Sequence, residues 1–281
     1  MVNGLPDLPP KAREAAKNKR LIVFLGSGIS SAAGLPDWKK VRRRLATECS
    51  LPTDKEHLRE IWKRDNDEYY EVFEEIRGES AESYAKIIKE SLDIKQADLI
   101  KYLKWLKIIK SWQPIAIVTT NIDELLPNTG LYEKGQYRYQ KDLYPQELRE
   151  GKIFFLHGIG DQGIWSHGDV KDFYRHDDTK AFFWNMFGSY CVLFIGCSFK
   201  DRWKNLLEIK APDISQCYHY ALIPSQEHAE RSTSRFFNNV EFLVYDNSTG
   251  YDNFGLTIEK WGTKPNLFEN DIMMNANRVG I

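Results

Sequence analysis

Six short apolar runs interrupt an otherwise charged chain: LIVFL at 21–25, PIAIVTT at 114–120, KIFFLHG at 152–158, CVLFIG at 191–196, CYHYALI at 217–223 and VEFLVYD at 240–246. Most are continuous rather than alternating, as in strands covered on both faces, which predicts a doubly wound α/β fold around a parallel sheet of about six strands. Between the first two runs the spacing becomes helical. Leu58, Ile61, Trp62, Val72, Phe73 and Ile76 mark one helix or a broken pair, Tyr84, Ile87 and Ile88 a second, and Leu99, Tyr102, Leu103, Leu106 and Ile109 a third. A crossover between parallel strands needs only about a dozen residues, so this interval implies a helical insertion, at about 54–112. A single domain over 1–263 is expected, with 264–281 a weakly periodic C-terminal tail.

Composition narrows the function. With 39 basic and 40 acidic side chains the charge is nearly balanced, so nothing global favours a nucleic acid or a membrane surface, and direct nucleic-acid binding is not expected. The four cysteines (Cys49, Cys191, Cys197 and Cys217) form no C-x-x-C pair, which argues against a zinc ribbon or a disulfide framework and fits a reducing cytosol. The N-terminal residues MVNGLPDLPPKAREAAKNKR lack an apolar signal core, and no stretch approaches the roughly 18 apolar residues of a membrane span. The reading is a soluble cytoplasmic protein. KKVRRRL at 39–45 reads as a solvated helix face with Val41 and Leu45 turned inward, and His157, His167 and His176 with Asp161 and Asp169 fit no standard metal site. No metal is expected.

The first run ends in FLGSGISSAAGLPDW. Gly26 and Gly28 allow a sharp turn and a close approach to bare backbone, at the start of a helix whose amides would face an anion such as pyrophosphate. The usual dinucleotide fingerprint is not matched, because Ser31 occupies the third glycine position and no carboxylate at the end of a second strand follows at about 20 residues. Three companions end the next strands: TTNID at 119–123, LHG at 156–158 and GCSF at 196–199. Open α/β sheets bind ligands at the carboxyl ends of their strands, so all four segments would line one crevice.

Together these segments resemble the sirtuin signature. GSGISSAAGLPDW is similar to G-A-G-x-S…G-x-P-D-F, TTNID to T-Q-N-I-D, LHG to the catalytic H-G and GCSF to G-T-S, in the same order from about residue 20 to 246. The resemblance implies a Rossmann-like NAD site and cleavage of the bond between nicotinamide and ribose. It also departs from the deacylases. Residues 159–190 contain no cysteine where those enzymes carry a zinc ribbon, and Ser27, Trp38, Lys39 and Thr120 replace alanine, phenylalanine, arginine and glutamine. With the helical insertion, these departures resemble the bacterial sirtuin-like domains of antiphage defence. That branch implies NAD as substrate, depletion of cellular NAD without a metal, and control by homo-oligomerisation or by a separate regulatory or sensor subunit such as an ATPase or an Argonaute-like protein. A zinc-free protein deacylase and a non-catalytic NAD- or ADP-ribose-binding assembly module are the alternatives.

Residue roles follow from the same match. His157 is the expected general base, since imidazole near its free pKa takes a proton at neutral pH; a buried structural histidine is the alternative. Asn121 would hold a ribose hydroxyl or the attacking water, if it is not simply a turn residue. Asp123 would bind the nicotinamide carboxamide, cap the helix that begins ELL, or do both. Gly26, Ser27, Gly28, Ile29 and Ser30 would surround the pyrophosphate, with Thr120 among the cofactor-binding residues. Asp37 and Trp38 would close over nicotinamide, Gly196 and Ser198 would meet the adenosine half, and Asp246 would bound the adenine pocket.

Overall fold

The computed structural model describes residues 4–51, 53–62, 69–160, 163, 167–198, 217–226, 240–248 and 250–263. Seven strands, β1 (Leu21–Leu25), β2 (Ala116–Thr119), β3 (Tyr137–Tyr139), β4 (Lys152–Phe155), β5 (Cys191–Ile195), β6 (His219–Pro224) and β7 (Val240–Tyr245), form one sheet in the order β3-β4-β2-β1-β5-β6-β7. Every pairing is parallel. The α/β expectation is borne out, with one more strand than the roughly six expected. The addition, β3, is an edge strand of three residues in which only Tyr137 is buried, so it has no apolar run to announce it.

The continuous apolar runs arise because successive side chains alternate between two buried faces. Leu21, Val23 and Leu25 of β1 point into one core with Ile117, Phe155, Leu193 and Leu222. Ile22 and Phe24 point into the other with Val118, Phe154, Phe194 and Ala221. The first face is covered by α1 (Pro10–Lys17), α7 (Leu99–Ser111) and α11 (Asp252–Thr263), the second by α10 (Asp177–Ser189), which follows α9 (His167–Arg175). Tyr102, Trp105, Leu106 and Ile109 on one stripe of α7 all belong to the first core, so this helix is part of the sheet's own helical layer.

A separate apolar cluster is built by α3 (Trp38–Glu48), α4 (Leu58–Trp62), α5 (Tyr69–Glu79) and α6 (Ala81–Ser91) around Val41, Leu45, Trp62, Phe73, Tyr84 and Ile88. The pattern at 58–76 is therefore the broken pair, α4 and α5. Ile122, from the loop after β2, inserts into the same cluster at 2% exposure and ties it to the strand ends. In α3 the structure corrects the sequence reading, because Arg42 joins Val41 and Leu45 in full burial. The tail at 264–281 lies outside the described residues.

His219 opens β6 in the interior, where its Nδ1 accepts a hydrogen bond from the Val192 N–H at 3.2 Å. Burial lowers its pKa from 6.5 to about 4. Between those values the unfolded chain binds a proton that the native ring does not, so stability is expected to fall as pH drops from about 6.5 toward 4. His219→Asn keeps an acceptor near the same place and cannot titrate. Urea midpoints across this range should slope less steeply in the variant, and equal slopes would remove His219 from the acid response.

Candidate functional site

From β1 the chain moves outward through β2 toward β3 and β4, then returns to lay β5 on the other side of β1. The order thus reverses between β1 and β5, the position at which open α/β sheets form a ligand crevice. Gly26 ends β1 and donates its N–H to the Ile195 carbonyl at 3.0 Å, while Gly28 donates to the Gly196 carbonyl at 2.8 Å. A Cβ on Gly26 would lie 2.5 Å from that Gly196 oxygen, and one on Gly28 would lie 2.8 Å from the Gly196 Cα. The glycines therefore first serve a backbone interlock between two strand ends. Since the Gly26, Gly28 and Ile29 amides all donate to protein carbonyls, these three are not the open anion cradle suggested by the sequence.

The polar side chains collect beside this interlock. Thr119 donates through Oγ1 to the Leu25 carbonyl at 2.9 Å and accepts from the Asn121 N–H at 3.0 Å, fastening the end of β2 to that of β1. Asn121 Nδ2 donates to the Gly26 carbonyl and to Ser30 Oγ, both at 3.1 Å. Ser30, on the short helix α2 (Ser27–Ala32), donates in turn to Asp123 Oδ2 at 2.7 Å. The Gly26 carbonyl can only accept, so it fixes which end of the Asn121 amide is nitrogen. Asn121 Oδ1 is left buried with no hydrogen-bond partner. An acceptor in that condition is costly and marks a place that a donor on a ligand or a water would satisfy.

Asp123 is 6% exposed, and its Oδ1 accepts from the Leu125 N–H at 3.0 Å at the start of α8 (Leu125–Asn128). The capping contact is thus present together with the Ser30 contact. Burial raises its pKa, opposed by the Ser30 hydroxyl and the Leu125 amide. Tyr102 of α7 stands next to this group. Burial and then the Asp123 charge hold its phenol well above the usual value, while the Ser30 hydroxyl acts in the opposite direction. Helical apolar spacing had marked Tyr102 only as core, and nothing local distinguishes it.

The raised Asp123 pKa has a stability consequence. A carboxyl easier to protonate in the native state than in the unfolded chain favours folding at low pH, and that contribution is lost as pH rises through the native value. Asp123→Asn imitates the neutral form with little change of shape. It is expected to raise stability at pH 7 by about 1 kcal/mol, or roughly 2–4 °C in Tm. A lower Tm would show that the hydrogen bonds from Ser30 and Leu125 outweigh desolvation.

His157 lies on the adjacent strand end. The β2·β4 register pairs Thr119 with Phe155, so Asn121 and His157 are each two residues beyond the last pair, and the Gly160 N–H donates to the Ile122 carbonyl at 2.7 Å between the two loops. The ring is 2% exposed, its Nε2 lies 3.0 Å from Tyr174 Oη, and it meets Phe173 and Tyr174 edge to face. Burial lowers its pKa to about 4, which corrects the expectation of an imidazole near its free value: near neutral pH the ring is uncharged, with a lone pair on one nitrogen, and is a weaker base than a free histidine. Tyr174 escaped the sequence reading because nothing in its local spacing sets it apart within 159–190.

The other expected residues occupy different settings. Ser27 and Thr120 are half-buried beside the turn, whereas Ile29 is buried in the core below it. Asp37 caps α3 by accepting from the Lys40 N–H at 2.7 Å, and the Trp38 ring packs on Phe73 at 5.9 Å, so both are anchored to the helical cluster. Gly196 is locked to the turn, and Ser198 is exposed two residues further on. Asp246 is exposed after the edge strand β7, three strands from β1, where it accepts from the Ser248 N–H and hydroxyl at 2.9 Å each. Among the described residues no group of three or more His, Cys, Asp and Glu side chains could hold a metal ion; Asp161 lies outside them.

A parallel sheet whose order reverses at a glycine turn, with side chains gathered on neighbouring strand ends, defines a Rossmann-like α/β protein. Residues 115–245, from just before β2 to the end of β7, match the family model of the SIR2-like domain. Such domains are in general NAD-dependent and enzymatic. The glycine turn precedes the matched segment. Among curated proteins none matches the chain. No helix of the described residues is long and apolar enough to cross a membrane.

Proposed function

We propose that the protein hydrolyses NAD at the nicotinamide–ribose bond, giving nicotinamide and ADP-ribose. The observation that carries this reading is the buried Asn121 Oδ1, an acceptor without a partner, fixed in direction by Gly26 and Ser30 at the sheet's switch point. It suits a ribose hydroxyl or a water. The bond between C1′ and the nicotinamide nitrogen breaks with its electron pair leaving on nicotinamide, and the oxygen of water bonds to C1′ while its proton passes to the uncharged His157. Carboxylate and amide dipoles from Asp123 and Asn121 would lower the energy of the cation-like sugar. Asp123 is also the group for the nicotinamide carboxamide, and Ser27, Ser30 and Thr120 would lie nearest the phosphates and ribose, above a turn whose Gly26, Gly28 and Ile29 amides are already taken by protein carbonyls. Gly196 and Ser198 would meet the adenosine half, with Asp37 and Trp38 covering the nicotinamide end and Asp246 bounding the adenine.

The biological reading is an effector of antiphage immunity that depletes cytoplasmic NAD, and it rests on the resemblance described above. Unregulated hydrolysis would harm the host cell, so this reading includes control by homo-oligomerisation or by a separate sensor subunit. The test incubates the purified full chain with NAD, with and without candidate partners, and follows products by chromatography. Equal amounts of nicotinamide and ADP-ribose are expected with no peptide present. Release that requires an acyl-lysine peptide and yields an acylated ADP-ribose would make the protein a deacylase. NAD binding without turnover in every condition would make it a binding module.

A further inference from the structure

We infer that Tyr174 is a positioning residue for His157: its phenol oxygen holds the imidazole through Nε2 and accepts a hydrogen bond from it when the ring becomes charged. The inference rests on the proposed hydrolysis for its catalytic meaning, but its geometry does not. The two atoms are 3.0 Å apart. Packing aims the hydroxyl, because the Tyr174 ring lies 4.9 Å from Phe173 on its own helix and 6.0 Å from Phe183 of α10. The adjacent Val170 is buried and anchors α9, so the phenol is held by the helix and not by a loop.

A buried imidazole that takes up a proton creates a charge in a poorly solvated place, and such a charge needs a compensating dipole. Of the other titratable residues on α9, Asp169, Lys171, Asp172 and Arg175 are exposed, and Asp123 and Glu124 follow β2 on the neighbouring strand end. Burial lowers the His157 pKa to about 4, as expected of a ring held in a poorly solvated place. The phenol oxygen is the compensating group. In the resting enzyme it selects the tautomer with hydrogen on Nε2, and Nδ1 then takes the proton from water or ribose. No proton crosses to Tyr174 in this scheme. A phenylalanine would fill the same space and fulfil every packing contact, so the hydroxyl is what the inference assigns.

The test uses the full chain, wild type and Tyr174→Phe, labelled with ¹⁵N-histidine and observed by NMR without NAD. The wild-type spectrum should show the Nε2–H tautomer of His157, and the variant should lose that preference and titrate at lower pH. In nicotinamide release the variant should lose roughly 10-fold in kcat, the value of about one buried hydrogen bond, with KM unchanged and the acid limb moved to lower pH. An Nδ1–H tautomer in the wild type, or identical His157 titration in the two proteins, would overturn the inference. The wild-type tautomer decides the question even if the variant does not fold. Absence of turnover in the wild type with the expected tautomer and titration would count against the hydrolase reading and leave the Tyr174 assignment standing.

Discussion

Asn121→Ala is expected to lower the rate of nicotinamide release by roughly 10²–10³-fold, the scale seen when one preorganised dipole is removed from a reacting centre. The expectation follows from the division of labour within one side chain. Nδ2 is spent on the Gly26 carbonyl and Ser30 Oγ, whereas Oδ1 has no protein partner. The part lost to chemistry is therefore the oxygen, and the nitrogen keeps the amide aimed. Alanine removes both, so it also frees Ser30, whose hydroxyl still has Asp123 Oδ2 at 2.7 Å as its acceptor. The glycine interlock is made by backbone and should survive, so NAD binding measured by calorimetry should weaken far less than turnover. Wild-type turnover in the variant would remove Asn121 from the chemistry and leave its buried oxygen unexplained.

The second large effect concerns the fold that presents this site. Gly196→Ala should destabilise the protein by about 3–4 kcal/mol, since a left-handed backbone costs an L-residue about 1–2 kcal/mol and the added methyl also meets main chain that cannot yield. Gly196 has φ +71°, and its Cβ would lie 2.5 Å from the Ile29 nitrogen and 2.9 Å from the Gly28 carbonyl carbon. At roughly 2–4 °C per kcal/mol the loss in Tm is on the order of 10 °C. Gly130→Ala provides the control: its φ is +63°, and nothing lies within 4 Å of the new methyl. That variant should show the backbone cost alone. If the two alanines destabilise equally in urea titrations, the close approach of the two strand ends contributes nothing.

Parts of this arrangement were legible because their causes are local. A strand buried on both faces must be apolar at consecutive positions, so β1, β2, β4, β5, β6 and β7 announced themselves within a few residues of their observed bounds. The helices between β1 and β2 did so through apolar spacing at three and four. What failed to register had causes elsewhere. Three residues with one buried side chain make β3, and only pairing with β4 turns them into a strand. Arg42 looks like its basic neighbours until α4, α5 and α6 close over α3. The glycines read as an anion cradle, because the sequence cannot show that Gly196 comes from another strand to take the Gly28 amide.

By itself, then, the sequence determined the class of fold, the places of its main strands along the chain, and the four segments that resemble a sirtuin site, since each depends on residue type and spacing along one stretch of chain. The tertiary structure alone decided which atoms meet. It turned Asn121 so that its oxygen is unpartnered, set Ser30 between Asn121 and Asp123, brought Tyr102 from α7 beside that group, and put Tyr174 on the ring of His157. Hydrogen bonds and burial between residues 17 to 95 positions apart are properties of packing in three dimensions, and no local pattern encodes them.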